Sequence, residues 1–463
     1  MQLKGFIFLC SLILFALLSC NRDEIKFDSA SRELRFSRDT LVLDTVYNQV
    51  RSETYAVKVY NQEDKDIKIP NISLQGGSQS PYRLNVDGQH GTTFSDVPLR
   101  KNDSLYIFVE IAPIANATEA IAEDRINFST NQHITLLSVV QDAEFYIKTE
   151  TNPNIINQDI IWTNDKAKII YGDITLAEGK MLTVEKGTKV YFHKNSGLKL
   201  SENSILNVNG DLGEEVVFRG DRNDARHDTI ALNWKGIAME KDAVANINYA
   251  RIFGGTTGLE VNHAKANIQN TIIHTFQEYG INAINAEINA SNLVMNNCGI
   301  ADFGISKGGN ITLSHCTLAN YWSLNSAMSG LAMSVSNEWT NADGNKEFAD
   351  LYLDIRNSIL YTRVDNALVF NPSDNYQFNY SILNSLLKFG NNAGFDFDNN
   401  SKIINSIKNE DPLFLHYYTR KMNLRTEDDS PTKGKANLSV AQNYPWDLVK
   451  VSRTQNPSIG AYQ

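Results

Sequence analysis

The chain has 463 residues, of which 42% are hydrophobic and 21% are charged, and its 53 acidic and 43 basic residues give a formal net charge of −10. This composition is typical of a folded protein with two or three domains or one long repeat array, and it excludes a disordered chain. The acidic balance argues against a nucleic-acid partner. Asparagine is abundant and favours turns over helix interiors, so mainly β-structure with many tight turns is expected.

The first twenty residues predict export and anchoring. Lys4 precedes the apolar run Phe6–Leu18, which is short for a membrane span. The segment Leu-Leu-Ser-Cys at 17–20 resembles the bacterial lipobox, in which cleavage precedes a cysteine whose thiol is acylated. The resemblance implies a signal peptide over residues 1–19, lipidation at Cys20 and a membrane partner reached through the lipid.

A tether is expected over residues 20–29, where an acidic cluster follows Cys20. This cluster resembles the surface-export signals of lipoproteins of the Bacteroidota, and a plain solvated tether is the alternative. The implied location is the outer membrane, lipid-anchored and exposed at the cell surface. The periplasmic face stays open as the other orientation.

Residues 30–150 are predicted to form a β-sandwich. Short segments of alternating hydrophobicity, such as Tyr55–Tyr60 and Leu105–Val109, are separated by Asn, Gly, Asp and Pro. The stretch from Val57 to Pro113 resembles the Hydin-type Ig-like domains of bacterial surface proteins. The resemblance implies a spacer or adhesion module.

Residues 160–463 contain a repeat. One aliphatic series runs through Ile237, Leu259, Ile281 and Ile305 at steps of 22, 22 and 24 residues. A second, interleaved series has steps of 21, 20 and 23 and comprises Ile247, Ile268, Ile288 and Ile311. A shared period of about 22 residues has room for two or three short strands and none for an ordinary helix, which favours a right-handed parallel β-helix.

Stacked coils place equivalent residues above one another, which explains the asparagine excess. Turn ladders are predicted at Asn270, Asn292, Asn357, Asn379 and Asn405. Cys298 and Cys316 fall at different positions of the repeat, so both are expected to be buried thiols and not a disulfide pair.

The opening of this region, from Leu182 to Ile237, resembles the pectate-lyase-like parallel β-helix family, especially lipoproteins of the Bacteroidota. The ending, a closing segment from about residue 410, resembles the last coil of that family through Asp411-Pro412 and Ile459-Gly-Ala-Tyr462. The implied fold is all-β, with an N-terminal Ig-like β-sandwich followed by a right-handed parallel β-helix. The family includes lyases, hydrolases, adhesins and structural proteins, so this resemblance predicts the fold and leaves the activity open.

No complete lyase or hydrolase set is recognised, so a non-enzyme is predicted. The expected function is binding of a glycan or protein, or a structural role at the envelope; the alternative is a polysaccharide lyase or glycoside hydrolase. Asp354 and Arg356 alternate with apolar residues and are expected to face outward together. Asp396 and Asp398 loosely resemble a calcium loop, with a plain polar loop as the alternative; no other metal or cofactor is predicted.

Two insertions, residues 219–233 and 336–350, interrupt the period. Loops that project from a stacked array are common binding elements. Aromatic rings beside Asn and Asp can stack on sugars, and the alternative is that the rings cover the hydrophobic core. The candidate binding residues are Arg219, Asp221, Arg222, Asp224, Trp234, Trp322, Trp339 and Phe348.

Overall fold

A computed structural model describes residues 26–43, 45–47, 52–112, 119–129, 131–222, 226–324, 330–374, 376–390 and 396–463. The predicted signal peptide, Cys20 and Asp224 lie outside these residues. The chain divides into two compact units, the first ending at Val140 and the second running from Gln141 to Gln463. The described residues contain no helix that is long and apolar enough to cross a membrane.

The first unit is built from strands and one 3-10 turn, Gly77–Gln79. Its strands are β1 Asp28–Ser29, β2 Arg35–Phe36, β3 Thr40–Val42, β4 Val46–Tyr47, β5 Tyr55–Tyr60, β6 Ile67–Leu74, β7 Tyr82–Val86, β8 Gln89–Gly91, β9 Thr93–Leu99, β10 Ser104–Ile111, β11 Glu119–Phe128 and β12 His133–Gln141.

These strands form two sheets that share one hydrophobic core. One sheet has the order β1-β6-β11-β12-β3, with β9 also paired to β6 and β4 to β12, and the other has the order β2-β5-β10-β7-β8. Alternation places Val57 and Ile107 of one sheet in the same core as Ile69 and Ile134 of the other. Most pairings are antiparallel, while β1 with β6 and β3 with β12 are parallel. The strands predicted at Tyr55–Tyr60 and Leu105–Val109 are confirmed.

The second unit contains the remaining strands and little helix. Its strands are β13 Ala143–Ile147, β14 Ile155–Ile156, β15 Ile160–Trp162, β16 Ala167–Tyr171, β17 Ile174–Leu176, β18 Met181–Glu185, β19 Lys189–Phe192, β20 Leu198–Leu200, β21 Ile205–Asn209, β22 Val216–Gly220, β23 Ile237–Met239, β24 Val244–Asn248, β25 Ala250–Phe253, β26 Leu259–Asn262, β27 Lys265–Gln269, β28 Ile272–Phe276, β29 Tyr279–Ser291, β30 Val294–Cys298, β31 Ala301–Ser314, β32 Thr317–Asn320, β33 Leu331–Ser336, β34 Glu338–Thr340, β35 Lys346–Phe348, β36 Leu351–Arg356, β37 Ile359–Thr362, β38 Leu368–Asn371, β39 Phe378–Leu383, β40 Leu386–Leu387, β41 Ile403–Ile404, β42 Ile407–Lys408, β43 Phe414–His416 and β44 Asn423–Thr426. Helix α1 spans Leu438–Ala441, and 3-10 turns lie at His227–Thr229 and Thr419–Lys421.

Two parallel sheets of 17 and 11 strands dominate this unit. Each strand pairs with the equivalent strand one repeat later, so that β20 pairs with β23 and β23 with β26. We call one such repeat a rung; it contributes two short strands or one long strand to the larger sheet and one strand to the smaller sheet. The predicted alignment of Ile237, Leu259 and Ile281 is confirmed. Strand β13, within the range predicted for the first domain, pairs with β16 and belongs to this unit.

A column of turn residues with left-handed backbone runs along the ladder. Its members have φ between 45° and 52° and are Tyr249, Asn270, Asn292, His315, Asn357, Asn384 and Asn405. Asparagine tolerates this conformation better than most residues, which explains its recurrence. The turn-ladder prediction is confirmed at four of its five asparagines; Asn379 lies instead within β39, opposite Tyr352, and Asn384 takes the turn position. We call this set the turn column.

Two further columns face outward. The apolar column lies on the smaller sheet, two residues after each turn-column residue from Asn270 onward, and comprises Ile272, Val294, Thr317, Ile359, Leu386 and Ile407; Arg251 has the equivalent position after Tyr249. The amide column lies on the larger sheet and comprises Asn207, Asn246, Asn267 and Asn289. Their side chains form a hydrogen-bonded ladder, in which Asn246 donates to Asn207 at 2.9 Å and Asn267 donates to Asn246 at 2.9 Å.

The closing segment, residues 410–463, adds no further parallel rung within the described structure. Its strands β43 and β44 pair with each other, antiparallel. The segment returns along the side of the ladder, where Phe414, Leu448 and Ile459 form one cluster with the apolar column. The Ala461 amide donates to Thr317 Oγ1 at 3.0 Å, and Asn296 Nδ2 donates to the Tyr417 carbonyl at 2.7 Å. The expected last coil is therefore a lateral cover over the smaller sheet.

Candidate functional site

A groove of about 510 Å³ separates the ladder from the closing segment. We call it the column groove. The ladder wall contains Tyr249, Gln269, Asn270, Ser291 and Asn292, and the opposite wall contains Asn443, Tyr444, Pro445, Trp446 and Lys450. The ladder wall covers three successive rungs, which lie about 4.8 Å apart in a parallel sheet. The groove is therefore elongated along the ladder.

Side-chain amides make the ladder wall rigid. Asn292 Nδ2 donates to Asn270 Oδ1 at 2.8 Å, and Asn270 Nδ2 donates to Asn248 Oδ1 at 2.9 Å. The left-handed turns at Asn270 and Asn292 direct the chain from the larger sheet into the smaller one. The wall is thus fixed by the same contacts that stack the rungs.

A buried guanidinium holds the opposite wall in place. Arg453 is fully buried and donates from Nη1 to Asn292 Oδ1 at 2.7 Å and to the Trp446 carbonyl at 2.9 Å. Its Nη2 donates to the Gly460 carbonyl at 3.0 Å. Burial lowers the pKa of Arg453 to about 10, so the group is still charged at neutral pH. These bonds join both walls to one cation, and the indole of Trp446 stays 56% exposed above it.

Several polar groups of the groove have no hydrogen-bond partner among the described residues. They are the side-chain amide of Gln269, the hydroxyls of Ser291 and Tyr444, and the indole N–H of Trp446. An exposed aromatic ring beside unpaired donors and acceptors can hold a ligand that has both an apolar face and hydroxyl groups.

The first insertion forms its own salt bridges. Arg219 lies on β22, pairs with Asp228 at 2.6 Å and stands 5.0 Å from the Phe253 ring centroid. Asp221 contacts His193 Nδ1 at 2.8 Å, and the Arg222 carbonyl accepts from Arg219. Three of the predicted residues are therefore brought together here, and their contacts close the insertion onto the ladder.

Trp234 and Trp322 are not surface residues, which corrects their assignment to a binding loop. Trp234 is 1% exposed, stacks on Phe192 at 4.4 Å and donates to the Phe253 carbonyl at 2.8 Å. Trp322 is 9% exposed. The Trp234 ring belongs to the hydrophobic core, which is the alternative that the sequence left open, and Trp322 is likewise buried.

The second insertion forms a hairpin of β34 and β35, in which Trp339 and Phe348 are half-buried. Phe348 stacks on Tyr376 at 6.0 Å, and Lys346 pairs with Glu338 at 2.6 Å. A shallow cavity of about 390 Å³ lies nearby and is lined by Asp350, Asp374, Tyr376, Gln377, Phe378 and Asn379.

Asp354 and Arg356 do share an outward face, where Arg356 Nε donates to Asp354 Oδ1 at 2.9 Å. This hydrogen bond is the main cause of the raised pKa of Arg356. The two side chains thus satisfy each other's charge. Asp396 accepts from the Asp398 and Asn399 amides, and Asp398 pairs with Lys408 at 2.6 Å. Within the described ranges no three His, Cys, Asp or Glu side chains are grouped to hold a metal ion.

Trp446 and Tyr444 were not among the sequence-predicted residues. They follow the last rung, where the 22-residue period no longer applies. The available signal was local: Asn443-Tyr-Pro-Trp446 places two aromatic residues around a proline, a combination suited to a fixed, exposed turn.

No family model matches the chain, and no curated protein matches it. Among solved structures it shows similarity to a family 123 glycoside hydrolase from Clostridium perfringens, described in connection with glycolipid glycan hydrolysis. The identity is 10% and the TM-score 0.19, over 27% of this chain and 26% of that chain. A TM-score this low establishes no shared fold.

Proposed function

We propose that this protein is a cell-envelope lipoprotein that binds glycans, without cleaving them, in the column groove of a right-handed parallel β-helix. The stacked parallel pairings of the second unit support this finer fold, since crossovers between parallel strands are right-handed in nearly all proteins. The two-sheet first unit is proposed as an Ig-like sandwich that serves as a spacer or adhesion module.

One observation carries the binding proposal. The exposed indole of Trp446 lies in a groove with the unpaired polar groups of Gln269, Ser291 and Tyr444. Sugar rings stack their apolar C–H face on aromatic rings and form hydrogen bonds to amides through their hydroxyls. The groove offers a partner for each of these two contacts.

A glycan array with the purified protein and its Trp446→Ala variant tests the proposal. We expect glycans that bind the wild type to bind the variant at least about tenfold more weakly, as expected for an aromatic hot spot. Trp339→Ala is the matched control, because this half-buried tryptophan lies on the other candidate loop. Loss of binding in the control, with binding kept in Trp446→Ala, would place the site at the hairpin instead.

The envelope location is a separate part of the proposal and rests on the lipobox-like segment ending at Cys20. Metabolic labelling with a fatty acid should modify the wild type and not a Cys20→Ala variant. Protease shaving of intact cells then distinguishes a surface protein, which is cleaved, from a periplasmic one, which is spared.

A second candidate function is polysaccharide cleavage at the cavity lined by Asp350 and Asp374, since glycoside hydrolysis commonly uses two carboxylates. Polysaccharide panels with the wild type and the Asp350→Asn/Asp374→Asn double variant test it. Product release that disappears in the double variant and persists in Trp446→Ala would support an enzyme.

A further inference from the structure

We infer that the column groove selects uncharged glycans and that the ion pair between Lys450 and Asp211 sets this selectivity. The inference rests on the proposed function and specifies its ligand class. It follows from the charges that surround the groove.

Lys450 is the only Lys, Arg, Asp, Glu or His among the lining residues. Its ammonium lies 2.6 Å from Asp211 Oδ1 and 5.5 Å from the centroid of the Tyr249 ring. Both side chains are about half exposed, so the pair stands at the rim and adds little stability of its own. Its effect is to cancel the one positive charge that a ligand would otherwise meet.

The charges behind the walls also cancel. Arg453 is buried beneath Asn292 and Trp446, and Asp447, also buried, is the carboxylate whose charge opposes that of Arg453 most strongly. Asp447 in turn accepts from the Val449 and Val451 amides at 2.9 and 2.7 Å. Lys450 and Asp211 at the rim, and Arg453 and Asp447 behind the wall, are therefore two pairs that contribute no net charge to the groove.

A carboxylate or sulfate on a sugar would have to approach Asp211 or displace it from Lys450. The free-energy cost of removing water from that charge would not be offset, because Lys450 is already paired with Asp211 and no free cation is available in the groove. Hydroxyl groups face no such cost, because they can pair with the unpaired amide of Gln269 and the hydroxyl of Ser291. The groove therefore favours neutral sugars, because its lining has no unpaired cation to bind an anionic group.

The decisive variant is Asp211→Asn, which frees Lys450 and can still accept the Leu212 amide at the Oδ1 position. The matched control is Asp173→Asn, which frees Lys235 from an equivalent exposed pair of 2.7 Å outside the groove. All proteins are tested on an array of neutral and anionic glycans, and on polygalacturonate and its carboxyl-reduced form, at 50 and 500 mM NaCl.

We expect the glycans whose wild-type binding needs Trp446 to be uncharged, with affinities that change less than about twofold between the two salt concentrations. Asp211→Asn should strengthen binding of anionic glycans by about fivefold at low salt, and Asp173→Asn should not. Trp446-dependent binding of an anionic glycan by the wild type, or equal behaviour of the two Asn variants, would overturn the inference. The absence of any Trp446-dependent binding would overturn the proposed function, and the inference with it.

Discussion

The two outer faces of the ladder are both built from stacked parallel strands, but one is covered by the closing segment and the other is open to solvent. On the smaller sheet, the apolar column presents Ile, Val or Leu at every position except Thr317, and the closing segment covers it. On the larger sheet, the amide column presents asparagines that bond to one another and stay in contact with solvent. The type of the outward residue that recurs in each rung decides whether a face must be covered. The free energy gained by burying one apolar side chain is small, but it is summed over all rungs of the stack.

The largest expected effect comes from placing a charge under the cover. Ile459 is 1% exposed in the cluster with the apolar column, so Ile459→Asp buries an unpaired carboxylate or releases the closing segment. We expect a loss of about 4 kcal/mol in the free energy of unfolding, measured in urea, and rapid proteolysis of the segment. Leu438→Asp, at an exposed position of the same segment, is the control and should change little. Equal losses in the two variants would mean that the cover does not depend on apolar burial.

The second-largest effect is expected from acid, which should destabilise the packing of the closing segment on the ladder. Burial lowers the pKa of His315 from 6.5 to about 3, with Arg453 as the second cause, while Asn357 Nδ2 donates to its Nε2. The folded state therefore keeps the ring neutral; the stability this provides is complete above pH 6.5 and is lost as the pH falls towards 3. By pH 4 the loss is about 3 kcal/mol.

The matched variant is His315→Asn, which gives this rung the residue that its neighbours have in the turn column. Urea midpoints at pH 7, 5 and 4 should fall more steeply in the wild type than in this variant. Parallel pH profiles would contradict the assignment to His315, whose ring also faces Tyr444 and Arg453.

The interior between the two faces contains Asp302, whose carboxyl group faces Cys298 but accepts no hydrogen bond of good geometry in the described structure. Burial raises its pKa well above the usual range, so above about pH 4 folding is penalised by keeping this group protonated. Asp302→Asn should therefore stabilise the protein by about 1–3 kcal/mol at pH 7. The gain should shrink as the pH falls to 3; a variant that is less stable at pH 7 would refute this account.

The smallest effect is expected on the open face. Asn267→Ala interrupts the amide column, where Asn267 donates to Asn246 and accepts from Asn289, and should cost about 0.5–1 kcal/mol. Asn270→Ala, three residues later in the turn column, should cost about 1–2 kcal/mol because alanine is strained at a φ of 48°. If Asn267→Ala cost as much as Ile459→Asp, the two faces would not differ in the way proposed.

Much of the ladder could be predicted because its signal repeats. The period placed Leu259 on Ile237 and most turn asparagines on one another. It failed where a shift of two residues keeps every side chain on the same face, so hydrophobicity cannot detect it. Ile281 therefore aligns with Phe303 and not with Ile305. The error at Asn379 has another cause, because the turn residue of that rung is Asn384, five residues later, and both positions are asparagine.

The column groove could not be predicted in the same way. Its two walls come from residues far apart in the chain, and only one wall shares the period. Buried tryptophans such as Trp234 cannot be told from exposed ones by composition, since both follow polar loops. The short pattern Asn-x-aliphatic, which occurs at the five asparagine turns, did mark most of the apolar column, and an aliphatic column of this kind requires a cover.

The return of the closing segment has a consequence for the order of assembly. Most rungs pair with a neighbour about twenty residues away, and the two insertions lengthen this separation to about forty, so the ladder can grow as the polypeptide is synthesised. The groove cannot, because Lys450 reaches Asp211 across 239 residues and Ala461 reaches Thr317 across 144. Until those residues arrive, the nascent chain exposes a hydrophobic stripe that chaperones can recognise. Ligand binding in the groove would then mark a molecule whose folding is finished.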